Sequence, residues 1–115
     1  MKIRICAVLL GLSLCLPALA DLTTMIRAVE LTTSNLQVPT TPSGRLMWKP
    51  CSGNCKAQYE SARLTAETRF TVNDAATDFL GFRQAFFNLS RDTDHYALVS
   101  YDPKANTITS VLIAD

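Results

Sequence analysis

The residues from which catalytic centres are built are scarce in this chain. There is one histidine, His95, and one tryptophan, Trp48. A metal centre built on several imidazoles is excluded, and His95 is the single side chain whose ordinary pKa lies near neutrality. Four glycines are scattered over 115 residues. Gly44, Gly53 and Gly81 lie far apart and form no phosphate-cradling loop. Neither sign of charge is in excess, with 11 Lys and Arg against 10 Asp and Glu interspersed along the chain. An electrostatic footprint for nucleic acid or an anionic membrane is therefore missing. No apolar run reaches the roughly 20 residues of a spanning helix. Internal repeats, low-complexity tracts and linkers are missing too.

What is present begins with an export signature. Lys2 and Arg4 make a positive start, Ala7 to Leu16 make an apolar run, and Pro17 breaks it. Ala18-Leu19-Ala20 supplies the small residues that a signal peptidase reads. Residues 1–20 are thus expected to be a signal peptide, cleaved after Ala20, with residues 21–115 forming a single small β-rich domain. Cys15 follows Leu14, whereas a lipid-modified cysteine follows a small residue, so lipid attachment is not expected. Cys6 and Cys15 would leave with the signal. Lys2 and Arg4 would leave too, so 9 basic and 10 acidic residues remain and the formal charge becomes −1. The expected location is the periplasm of a bacterium.

Cys51 and Cys55 remain, in Pro50-Cys51-Ser52-Gly53-Asn54-Cys55. Thiols that reach an oxidising compartment tend to pair. Gly53 and Asn54 tolerate left-handed backbone, so a tight loop can bring the two Cα atoms into bonding range. Closing so small a ring contributes about 1–2 kcal/mol, at the low end for a disulfide. The expected role is local, fixing a turn between strands in a domain with a small core. A redox pair is the alternative, but its signature is C-x-x-C opening a helix, and this is C-x-x-x-C after a proline. A metal site needs two further ligands.

Hydropathy patterning places the elements. Residues 22–33 have both helical and alternating spacing, and the β-branched content favours a strand over 26–33. Leu36 and Val38 continue extended, and residues 39–44 read as a turn. Arg45 to Lys49 is a second strand, with Leu46 and Trp48 on one face, ended by Pro50. Residues 63–73 alternate over eleven positions, with Leu64, Ala66, Thr68, Phe70 and Val72 on one face, which predicts one long half-buried strand. Asn73-Asp74 turns the chain, and Thr77 or Asp78 can cap a helix over 78–89. Phe79, Phe82, Phe86 and Leu89 form its apolar stripe. Gly81 costs about 1 kcal/mol against alanine there and suggests a close approach or a weak first turn. Tyr96 to Tyr101 and Thr107 to Ile113 form a hairpin through Asp102-Pro103-Lys104-Ala105-Asn106.

The order βββαββ is that of the OB-fold, so the expected class is mainly β with one helix, a small five-stranded OB-like barrel or a curved antiparallel sheet. The chain also resembles the small exported proteins of proteobacteria. The resemblance is carried by the signal, Ser43-Gly44-Arg45 leading to Trp48-Lys49-Pro50-Cys51, Cys55, the Leu64-Thr65 and Thr68-Arg69-Phe70 strand with Val72-Asn73, and Tyr101-Asp102-Pro103. It implies a periplasmic β-rich domain and carries no active site.

His95 has Asp92, Asp94, Ser90 and Ser100 near it in sequence, but no nucleophile-elbow motif accompanies them. It reads as an exposed residue at a strand start. Asp74 and Asp78 read as helix-entry acids. Asp92, Asp94 and Asp102 lack EF-hand spacing. Asn88-Leu89-Ser90 is a glycosylation sequon only in a eukaryotic secretory pathway. Aromatics on an OB face can stack on bases or sugars, although in so small a domain they more often form the core. Trp48 and Tyr59 flank the cysteine loop and mark the expected contact surface. Three functions remain open: a non-enzymatic module that binds an envelope protein or another periplasmic component, a thiol-redox or metal-handling protein using Cys51 and Cys55, and a saccharide- or oligomer-binding domain. No cofactor is implied.

Overall fold

The computed structural model describes residues 25–90 and 92–114. The expected signal, its cleavage point, Cys6 and Cys15 lie outside the described residues. The elements run β1 (Arg27–Thr32), a one-turn 3-10 helix (Thr33–Asn35), β2 (Leu36–Gln37), β3 (Arg45–Trp48), β4 (Glu60–Arg63), β5 (Arg69–Val72), β6 (Ala75–Thr77), α1 (Phe79–Phe87), β7 (Tyr96–Asp102) and β8 (Thr107–Ala114). The eight strands form one sheet with the path β1-β7-β8-β4-β3-β2, while β5 pairs with β8 and β6.

The β7–β8 hairpin is the spine, as its alternation predicts. Ala97, Val99 and Tyr101 point inward from β7. Asp102 builds the turn, its Oδ1 accepting from the amides of Lys104 at 2.9 Å and Ala105 at 3.2 Å. Asn106 completes the turn in the left-handed region, at φ 58°. The register then slips, because Ser100 faces Ser110 while Tyr101 faces Ile108. A bulge of this kind flips the inward parity of a strand. It lets Ile108, Val111 and Ile113 all enter the core despite their uneven spacing.

The expected strand over 63–73 is interrupted. Of its residues only Arg63, the end of β4, and β5 are strand, while residues 60–62 pair where no strand was expected. Both strands lie parallel to β8, with Arg63 opposite Thr107 and Arg69 opposite Ser110. Six steps along one chain thus match three along the other, and the surplus bulges out between Leu64 and Thr68. Thr68 makes this affordable to the ladder, since its Oγ1 donates to Ile108 O at 2.7 Å and accepts from Thr65 N at 2.9 Å. A side-chain hydroxyl replaces the missing backbone partner. Leu64 and Phe70 still reach the core, but Ala66 is exposed. Two strands beyond the expected five are β2 and β6, and the split makes a third. The β5–β6 hairpin turns on Asn73 and Asp74, both at positive φ, as a two-residue primed turn requires.

Of the two expected forms, a closed barrel or a curved sheet, the sheet is the second, curved and open. It also mixes parallel and antiparallel pairs. Its path begins at β1 and ends at β2, the two strands joined by the 3-10 turn, so the sheet curls back toward its own edge. Among the described residues no ladder joins β1 to β2. β2 has two residues, and both pair with β3. The corner is tied instead by Thr33 N donating to His95 O at 2.8 Å and Lys49 N to Asn35 O at 3.0 Å.

α1 packs against β5 and β6. Asp78 is its cap, with Oδ1 accepting from Gly81 N at 2.7 Å. Phe79 and Phe82 bury against Phe70, with ring centroids 5.8 and 5.0 Å away. Gly81 answers to its own helix entrance, because a Cβ there would collide with Thr77 Oγ1.

Candidate functional site

The cysteine loop follows β3 and is closed by a Cys51–Cys55 disulfide, with Cα atoms 6.5 Å apart. Gly53 takes φ 64°, the left-handed conformation its position required. The loop is fixed by more than its bridge. Asn35 is 6% exposed. Its Nδ2 donates to Cys51 O at 2.9 Å and to Gly53 O at 2.8 Å, using both amide hydrogens. Thr32 Oγ1 accepts from Gly53 N at 3.0 Å. The β1–β2 corner therefore holds the loop by three hydrogen bonds to its backbone. Sequence reasoning missed Asn35 and Thr32. Both sit in the polar cluster Thr32-Thr33-Ser34-Asn35, where nothing local distinguishes a buried clamp from a solvated turn.

The two residues expected to form a contact surface separate. Trp48 is 1% exposed and packs at a tilt against Tyr101, with ring centroids 5.0 Å apart, so it is core and supplies no surface. The cause is strand parity: Leu46 and Trp48 alternate inward with Arg45 and Met47 outward. Its Nε1 has no hydrogen-bond partner among the described residues. Tyr59 is 39% exposed, with Lys49 Nζ 5.1 Å from its ring centroid. Met47, also exposed, extends that face.

His95 is half-buried just before β7, rather than exposed. Its Nε2 lies 3.2 Å from Ser90 O and 3.4 Å from Thr93 Oγ1. These partners hold the ring against a loop. Tyr96 Oη donates to Glu30 Oε2 at 2.7 Å. That bond, then burial, then the Glu30 charge raise the phenol pKa above its ordinary value. Two grooves flank the C-terminal end of α1. One of about 350 Å³ is lined by Thr33, Leu36, Phe86, Phe87 and Asp94 among others. The other, about 490 Å³, includes Asn88, Leu89 and His95.

Among the described residues no group of three or more His, Cys, Asp or Glu is placed to hold a metal. Among the same residues no helix is long and apolar enough to cross a membrane. No protein-family model, curated protein or solved structure matches this chain.

Proposed function

We propose that this chain is an exported periplasmic binding or accessory domain, of the kind its sequence resembles, in which Cys51–Cys55 is a structural staple. The observation that supports the reading is the seating of the cysteine loop on Asn35 and Thr32. A redox pair must open, exchange and close, and thiolate attack needs an accessible sulfur. Here both cysteines are half-buried and the backbone around them is tied to the sheet. A staple of this type holds the chain leaving β3, and with it the Tyr59, Lys49 and Met47 face on which a partner would dock. The partner expected is an envelope protein or another periplasmic component.

Intact mass of the exported protein, alkylated before and after reduction, tests the staple and the export together. The expected species begins at Asp21 and takes no alkyl group until reduced. Two alkylated thiols without reduction would move the protein to the thiol-redox class. Retention of residues 1–20 would remove the periplasmic assignment. The binding role is tested by a photo-crosslinking residue at position 59, which should capture a discrete envelope protein. Recovery of monomer alone across growth conditions would refute it.

A further inference from the structure

The register of β3 and β4 sets Arg45 directly opposite Arg63. The two are 18 residues apart in sequence, and only the ladder brings them together. Both side chains are exposed on the outer face, since Leu46 and Ala62 beside them point inward. Directly opposed strand residues have Cβ atoms about 5 Å apart, and like charges at that spacing destabilise a sheet. Neither guanidinium has an acidic partner among the described residues.

Arg45 is also held in place. Its Nε and Nη2 donate to Ser61 Oγ at 3.3 and 3.2 Å. With the Asn106 amide oriented to satisfy both of its groups, Asn106 Oδ1 accepts from Arg45 Nη2 at 2.8 Å and Nδ2 donates to Ser61 O at 3.0 Å. The β7–β8 turn thus reaches over and fixes the guanidinium on β4. The turn is itself anchored there, because Arg63 N donates to Asn106 O at 3.1 Å. These bonds use Nε and Nη2 of Arg45, and none of them uses Nη1. A guanidinium whose direction is already set loses little freedom on binding, and its fork matches an oxyanion.

The geometry points to an oxyanion site at Arg45 and Arg63, which takes a phosphate, sulfate or carboxylate group of a ligand. Arg45 is the pre-oriented donor, Arg63 is the second charge, and Ser61 and Asn106 position Arg45. The bound anion removes the repulsion that the free sheet carries. This site lies on the same outer face as Tyr59 but does not depend on export or on a structural disulfide.

The test uses the full chain with inorganic phosphate, sodium acetate and sodium chloride at matched ionic strength. Phosphate or acetate should raise the thermal midpoint saturably above chloride. The same titration should shift the Arg45 Nε–H signal in nitrogen-edited NMR. Arg63→Gln should weaken that binding about tenfold, the loss of one charge-assisted contact. It should also raise the midpoint of the unliganded protein, which shows that the variant folds. Response to phosphate alone assigns the site to phosphate-bearing ligands, and response to acetate alone to carboxylates. Equal behaviour in chloride, or full retention in an Arg45→Gln/Arg63→Gln double variant, overturns the site.

Discussion

Asn35→Ala should destabilise this domain about as much as opening its disulfide. The side chain makes two hydrogen bonds to loop carbonyls, at 2.9 and 2.8 Å, from a nearly buried position. Each is worth about 0.5–1.5 kcal/mol net, so their joint loss is about 1–3 kcal/mol. The bridge closes a ring of five residues, whose loop-closure contribution is about 1–2 kcal/mol. For a domain of this size 2 kcal/mol corresponds to a fall of roughly 8–16 °C in the thermal midpoint. Asn35→Asp should be worse than alanine, because it sets a carboxylate against the carbonyls of Cys51 and Gly53. Clamp and bridge act on the same loop, so their losses should not add. Urea unfolding of wild type, Asn35→Ala, Cys51→Ser/Cys55→Ser and the triple variant forms a cycle. We expect a coupling of at least about 0.5 kcal/mol. Additivity within about 0.3 kcal/mol, or an Asn35→Ala cost below about 0.5 kcal/mol, would refute the clamp.

Gly81→Ala should destabilise the domain although alanine is the better helix former by about 1 kcal/mol, because its Cβ meets Thr77 Oγ1. Thr77→Ala should rescue it, and circular dichroism melts of the pair read both effects. Phe82→Ala removes a fully buried ring between Phe70 and Phe86 and should cost about 3–5 kcal/mol by denaturant titration. The raised Tyr96 pKa favours the protonated phenol in the folded state. Its contribution is therefore complete below the unfolded phenol pKa of about 10 and is lost as pH rises through the folded value. Glu30→Gln should lower that folded value, seen as earlier phenolate absorbance in a spectrophotometric titration.

Much of the fold was legible because local rules acted without competition. The phenylalanine stripe of α1 and the alternation of β7 each report one inward face, and the structure buries Phe79 and Phe82 of the first, with Phe86 and Leu89 partly buried, and Ala97, Val99 and Tyr101 of the second. Asn73-Asp74 and Asp102-Pro103-Lys104-Ala105-Asn106 turn as their backbone preferences dictate. The long strand over 63–73 misled because Leu64 and Phe70 are an even number of residues apart. Their parity survives a bulge, so the pattern cannot reveal the break. β6 escaped because Ala75-Ala76-Thr77 is too short and too weakly apolar to show a period.

The candidate surface was legible in part. The cysteine pair declared itself, since only two thiols lie beyond the expected signal and their loop contains Gly53. Tyr59 is exposed beside the cysteine loop, whereas Trp48 shares the face of Leu46 as its spacing predicts, and that face is the core and no contact surface. Asn35 carried no signal, as its partners lie 16 and 18 residues away.

Sequence alone therefore determined the class of domain, the place of its helix, its main hairpin and its bonded cysteines. These follow from periodicity, turn chemistry and composition, which act over a few residues. Tertiary structure decided that the sheet stays open, that Trp48 is core, that Asn35 clamps the loop, and that Arg45 faces Arg63. Each of those depends on the register between strands distant in the chain, and register is set by the packing of the whole core.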